Sequence, residues 1–100
     1  MAKEIIWTAT AEEELYDCLN YWSTRNKSNR YSEKLYLLIE EATESIAQYS
    51  NSGRTTEYQN FRSVVIREYL LFFEETETQI LILCFWDGRQ DPEKLTKRLE

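Results

Sequence analysis

The chain has 100 residues, with 12 Lys and Arg against 18 Asp and Glu, so its formal net charge is −6 at pH 7. Its 42% hydrophobic and 14% aromatic residues suffice for a folded core and argue against a disordered acidic tail. With two Cys and no His, the chain lacks the ligand set of an ordinary structural zinc site and the commonest general base. We therefore expect no metal and no cofactor.

The apolar segments are short. The longest uninterrupted one, Ile80 to Trp86, falls far below the roughly 20 residues that a membrane-spanning helix needs. Residues 1–7 show neither the long apolar stretch nor the small-residue cleavage site of a signal peptide. We therefore expect one cytoplasmic domain over residues 1–100, without membrane contact, in which Cys18 and Cys84 stay reduced.

The first half of the chain predicts a strand followed by a helical hairpin. Residues 3–8 are rich in Ile, Trp and Thr, which favours a short strand. Thr10 and Glu13 have the spacing of a capping box, which predicts a helix from there to about Arg25. Ser28 is a candidate cap for a second helix. The apolar residues that recur at helical spacing are Ala11, Leu15, Cys18, Leu19 and Trp22 in the first helix and Tyr31, Leu35, Leu38, Ile39, Ala42, Ile46 and Tyr49 in the second.

The second half predicts strands. Residues 61–66, 69–73 and 79–86 are aromatic and β-branched, and the polar residues 74–78 between the last two indicate a hairpin. In the third strand, Ile80, Ile82, Cys84 and Trp86 alternate with Leu81, Leu83 and Phe85, so both faces need cover. Two sources of that cover remain open: a short helix beginning at Asp91-Pro92-Glu93, or a partner protein. The expected fold is α+β, with an N-terminal strand and a helical hairpin packed on a small twisted antiparallel sheet.

Several short motifs follow one another along nearly the whole chain. They are Tyr21-Trp22-Ser23 at the end of an acidic helix, Ser28-x-x-Tyr31-Ser32-x-Lys34-Leu35, Gly53-Arg54, Arg62 opening a strand, Tyr69 in the next strand, and Trp86-Asp87-x-Arg89 with residues 90–95. In this order they resemble the RelE/ParE toxin superfamily. The resemblance implies the toxin half of a type II toxin–antitoxin module, a growth inhibitor linked to plasmid stabilisation and neutralised by a cognate antitoxin.

The resemblance implies one of two targets. ParE-like members poison DNA gyrase without evident catalytic residues, whereas RelE-like members cut mRNA on the ribosome. A third possibility is a partner-binding remnant without toxicity. RNA cleavage needs a base, an acid and cations on the phosphate. Arg62 and Arg89 match the phosphate-binding arginines of RelE-like nucleases, Arg54 stands where a basic pair is expected, and Glu68, Glu57, Tyr58 and Tyr69 are the remaining acid or base candidates.

Two observations favour the gyrase target. Leu95 replaces the tyrosine that RelE-like enzymes carry six residues after the last arginine. The chain is also acidic overall, whereas proteins that bind RNA usually present a basic surface; the cations that could still form a local one are Arg54, Arg62, Arg67, Arg89, Lys94, Lys97 and Arg98. Ordinary ion pairs are an equally good interpretation of the arginines: Arg62 with Glu57 or Asp87, and Arg89 with Asp91. Whether the chain is an enzyme stays open at this stage.

Overall fold

The computed structural model describes residues 2–49, 53–58 and 60–100. The elements are β1 (Glu4–Trp7), α1 (Ala9–Asn26), α2 (Arg30–Gln48), β2 (Arg54–Thr55), β3 (Arg62–Ile66), β4 (Tyr69–Glu75), β5 (Gln79–Asp87) and α3 (Pro92–Leu99). The strands form one sheet in the order β1-β5-β4-β3-β2, in which β1 runs parallel to β5 and the other pairs are antiparallel. The predicted α+β fold is confirmed, with a mixed sheet. Within the described ranges, no helix has the length and apolar character needed to cross a membrane.

The first helix begins earlier than the capping-box prediction. Thr8, not Thr10, is the N-cap, and its hydroxyl oxygen accepts a hydrogen bond from the Ala11 N–H at 3.2 Å. The Thr8 N–H still donates to the Ile82 carbonyl in the sheet, which keeps Thr8 extended. The helix therefore begins as soon as the pairing of β1 ends, and the predicted box of Thr10 with Glu13 is wrong.

The predicted helical hairpin is present. The two helices are joined through Ser32 on α2, whose hydroxyl donates to the Leu19 carbonyl at 2.7 Å and lies 2.9 Å from the Ser23 hydroxyl. Asn29 precedes α2 without a side-chain capping bond, while the Ser28 hydroxyl accepts from the Arg30 N–H. The apolar stripe ends at Ile46 and Ala47, since Tyr49 lies beyond the helix and is 70% exposed.

A β-bulge in β5 changes which residues face the helices. Phe72 pairs with Cys84 but Phe73 pairs with Ile82, so Leu83 is an extra residue opposite the regular ladder. Ile80, Ile82 and Phe85 lie in the core beneath α1 and α2, whereas Cys84 and Trp86 lie on the opposite face. The predicted alternation without interruption is therefore wrong, because it places Ile82 and Cys84 on the same side.

Helix α3 covers the second face of the sheet. Leu95 and Leu99 are buried against Phe72 and Cys84, and Tyr58, Phe61, Leu70 and Trp86 surround this smaller core. Of the two sources of cover left open by the sequence, the C-terminal helix is the one observed.

The packing of α2 on one face of the sheet predicts a sharp contrast between two nearby leucines of that helix. Leu35 is fully buried and Leu37 is 59% exposed. We expect Leu35→Ala to lower the free energy of unfolding by about 2–5 kcal/mol and Leu37→Ala to change it by less than about 0.5 kcal/mol. Urea unfolding followed by circular dichroism measures both, and similar losses in the two variants would contradict the assigned face.

Candidate functional site

A cleft of about 560 Å³ opens between α1 and the C-terminal end of β5. Its lining is mixed, with acidic, aromatic and thiol side chains around one arginine. The lining residues are Glu14, Asp17, Cys18, Tyr21, Tyr69, Phe85, Trp86, Asp87, Arg89 and Gln90. We treat this cleft as the candidate site because it brings together Arg89 and Tyr69, two of the residues predicted from sequence.

Arg89 is held by two carboxylates at the mouth of the cleft. Asp87 accepts from the Arg89 Nε at 3.0 Å and from its Nη2 at 2.9 Å, and it also accepts from the Arg89 backbone N–H at 2.9 Å. Glu68, in the turn between β3 and β4, lies 3.1 Å from the Arg89 Nη1. The predicted partner Asp91 instead caps α3 by accepting from the Glu93 N–H.

Gly88 allows these two turns to approach each other. Its N–H donates to the Glu68 carbonyl at 2.8 Å, and a Cβ at Gly88 would lie 2.8 Å from that same oxygen. A residue with a side chain would therefore push the turn that carries Arg89 away from Glu68.

The ion pairs fix the charge state of this corner. The hydrogen bond from Arg89 lowers the pKa of Asp87, and the bond to Asp87 raises the pKa of Arg89. Both groups are therefore charged at neutral pH, and the fork of the guanidinium is directed at protein carboxylates. A phosphate would have to displace Asp87 in order to bind Arg89 in the same bidentate way.

On the inner wall of the cleft, the Tyr69 side chain is held by contacts with Trp22 and Phe85. The Trp22 indole N–H donates to the Tyr69 hydroxyl at 2.6 Å, and the Tyr69 ring stacks on Phe85. Burial raises the pKa of Tyr69 and of the Cys18 thiol beside it. Both groups therefore stay protonated near neutral pH, so neither is a ready base or thiolate nucleophile.

Glu14 closes the other wall, where it joins three elements. Its carboxylate accepts from the Arg98 Nε at 3.0 Å, from the Arg98 Nη2 at 3.1 Å and from the Phe85 N–H at 3.2 Å. The Arg98 Nη2 also donates to the Leu83 carbonyl at 2.8 Å. Burial raises the pKa of the neighbouring Cys84 thiol to about 12. Glu14 is therefore a structural link between α1, β5 and α3 and not only an acidic residue near a helix N-terminus.

The other predicted arginines lie at the opposite end of the sheet. Arg62 pairs with Phe73 of β4, whereas Asp87 pairs with Tyr69 at the start of that strand, four residues or about 13 Å away along it. Arg54 lies on β2 beside the start of β3 and is exposed. The structure thus brings Glu68, Tyr69 and Arg89 together, and leaves Arg54 and Arg62 in a separate group.

The remaining acid and base candidates lie between β2 and β3. The Tyr58 hydroxyl is 3.0 Å from the Thr96 hydroxyl of α3, and its ring packs against Phe72. Glu57 is exposed. Among the residues that the structure describes, no cluster of His, Cys, Asp and Glu has the form of a metal site.

Sequence reasoning named Asp87 as a partner of Arg62 and missed its pairing with Arg89, and it missed Glu14 as the partner of Arg98. The spacing Asp87-x-Arg89 at the end of a strand was a usable signal for the first, because an Asp side chain readily binds the backbone two residues on. Glu14 and Arg98 are 84 positions apart in the sequence, so no local sequence pattern could predict their ion pair.

The pKa of Asp87 gives a testable pH dependence. Since folding lowers this pKa, the stabilisation is present above the unfolded value of about 3.9 and is lost as the pH falls through the lower folded value. We expect Arg89→Gln to lower the Tm at neutral pH and to converge with the parent protein in acid. Arg54→Gln is the control for net charge, because Arg54 makes no ion pair with any described residue. A Tm difference for Arg89→Gln that persists unchanged into acid would contradict the assignment.

Comparisons with known proteins agree with this fold. A solved structure of a chromosomal ParDE toxin–antitoxin system from P. aeruginosa shares it with a TM-score of 0.70 and 19% sequence identity, over 86% of this chain and 96% of that chain. No curated protein matches. Residues 5–92 match the family described as the ParE toxin of the type II toxin–antitoxin system, parDE. Because that match spans most of the chain, the protein belongs to the ParE toxin family.

Proposed function

We propose that this toxin acts by binding DNA gyrase and inhibiting it, and that it carries out no RNA chemistry. The observation that carries the proposal is that the Arg89 guanidinium is already paired with the carboxylates of Asp87 and Glu68. A guanidinium group that is already paired with carboxylates is less available to stabilise a phosphate during cleavage, but it can still form part of a protein-binding surface.

The separation of the arginines supports the same conclusion. Cleavage of RNA by its own 2′-hydroxyl requires an acid, a base and cations around one phosphate. Arg62 begins β3 and Arg89 follows β5, their positions being separated by about 13 Å along the strands, and the phenol of Tyr69 is buried and protonated. The residues near Arg89 therefore offer a hydrogen-bond donor but no evident base apart from Glu68, which is engaged in the ion pair.

A protein-binding role suits the composition of the cleft. Its walls combine Tyr21, Tyr69, Phe85 and Trp86 with an arginine, and aromatic residues and arginine are the residues most enriched at protein interfaces. A protein with such a surface can inhibit an enzyme simply by binding to it, and this needs no catalytic group.

We also propose that the cognate antitoxin adds a strand beside β3. Strand β2 pairs only with Arg62 and Ser63, so in the described part of the chain the outer edge from Val64 to Ile66 has no neighbouring strand. Val65 is 57% exposed on this edge. An extended antitoxin segment would satisfy the open backbone groups and cover Val65.

Expression of the toxin with and without its neighbouring antitoxin gene tests the target. We expect growth arrest with gyrase-linked DNA breaks and intact mRNA, and we expect the antitoxin to relieve the arrest. Cut mRNA would overturn the gyrase proposal in favour of a nuclease, and the absence of arrest would indicate a partner-binding remnant.

Variants in the same assay test the predicted site. If Arg89 contributes to an interface, Arg89→Ala weakens the arrest while mRNA stays intact. If Arg62 and Arg89 held a scissile phosphate, either Ala variant would instead reduce RNA cleavage about 10²–10³-fold. Unchanged arrest in Arg62→Ala and Arg89→Ala at equal expression would remove both residues from the functional site.

Hydrogen exchange on the toxin, alone and with its antitoxin, tests the docking edge. We expect new protection of backbone amides between Val64 and Ile66, because strand addition engages those groups directly. Protection confined to the segment of α1 from Glu12 to Asp17, whose exposed residues face away from β3, would contradict the proposal.

A further inference from the structure

The end of the molecule at the α1–α2 connection gathers positive charge, although the whole chain is acidic. Three connections meet here: the turn between the helices, the turn between β3 and β4, and the turn after β5. We call the surface formed by their cations the basic end; its residues are Arg25, Lys27, Arg30, Arg67 and Arg89, all of them exposed.

An aromatic pair holds this surface together. Trp22 and Tyr31 pack edge to face with their ring centroids 4.9 Å apart. The guanidinium carbons of Arg25 and Arg89 lie 5.7 and 5.9 Å from the Trp22 centroid, and that of Arg67 lies 5.9 Å from the Tyr31 centroid. The faces of these rings attract the guanidinium groups, which orders the arginine side chains before any ligand arrives.

Most of this charge is not neutralised. Asp87 and Glu68 pair with Arg89. Arg25, Lys27, Arg30 and Arg67 make no salt bridge with any residue in the described ranges. Four cations therefore remain available to a negatively charged ligand.

Most acidic residues of the hairpin lie at its other end; the exposed Glu33, in the first turn of α2, is the exception beside the basic end. Because the helices are antiparallel, the start of α1 lies beside the C-terminal half of α2, and Glu12 and Glu40 line one groove there. Glu13, Glu41 and Glu44 are nearby in sequence and exposed. The hairpin is thus electrically polarised, and a long-range field would orient the basic end toward a polyanion despite the net charge of −6.

We propose that the basic end binds the phosphate backbone of double-stranded DNA without reading its sequence. Planar guanidinium groups match phosphate oxygens, and release of counterions drives such binding even where no base is contacted.

The occupied aromatic faces favour a duplex over a single strand. Single-stranded nucleic acids bind largely by stacking their bases on exposed aromatic rings. Here arginines lie over Trp22 and Tyr31, and the indole N–H of Trp22 is bound to Tyr69.

Fluorescence anisotropy with a labelled 20-base-pair duplex and the purified 100-residue chain tests the proposal without gyrase, so its outcome is independent of the proposed target. With four available cations, we expect log K to fall with log[salt] with a slope of about −3.6. The double variant Lys27→Asn with Arg67→Asn should reduce the slope by about 2 and weaken binding roughly 10-fold or more in 50 mM salt.

Asparagine is chosen because both positions have left-handed backbones, with φ of 52° at Lys27 and 56° at Arg67, and Asn tolerates this conformation. The matched control is Lys94→Gln with Lys97→Gln, which removes the same charge from exposed positions on α3. We expect the control to keep the slope of the parent chain, and unchanged circular dichroism melting curves should show that all variants fold.

Three results would overturn the proposal: no saturable binding of the duplex in 50 mM salt, an equal loss of binding in the α3 control, or tighter binding of the single strand or of polyglutamate than of the duplex. Binding of the duplex with the expected slope, lost in the double Asn variant alone, would support it.

Discussion

The bulge at Leu83 is the constraint on which both cores of this protein depend. One extra residue in β5 shifts the alternation of the strand, so that Ile80 and Ile82 face the helical hairpin and Cys84 faces α3. A regular strand would place Ile82 and Cys84 on one face, and α3 would lose a buried partner. A chain of 100 residues buries limited apolar surface, so an uncovered sheet face would lower its stability.

A bulge disturbs the hydrogen bonding of a strand, and side chains compensate here. The Leu83 carbonyl accepts from Arg98, and the Phe85 N–H donates to Glu14. Because Arg98 and Glu14 also bind each other, α1 and α3 are both tied to β5 at its irregular point. The same link forms one wall of the cleft, so the shape of the candidate site and the stability of the sheet depend on the same contacts.

Periodicity was sufficient to predict the hairpin, the three longer strands and the α+β class, because burial of an apolar face imposes its own spacing. The same reasoning failed at Thr8, where sheet pairing sets the start of α1, and at Leu83, where an insertion of one residue leaves no local mark. Arg89, Tyr69 and Glu68 were predicted and lie together. Arg62 and Arg54 lie apart from them, since distance along a sheet depends on strand register, which composition does not encode.

A toxin that acts by occupying its target differs in one quantity from a toxin that cuts RNA, namely turnover. The most direct measurement is therefore a titration of the purified chain into a gyrase supercoiling reaction, with a parallel titration into translating ribosomes. Stoichiometric inhibition of supercoiling, with mRNA intact at every concentration, is the predicted result. Unchanged supercoiling activity, together with mRNA cleavage at a molar ratio of toxin to ribosomes far below one, would contradict it.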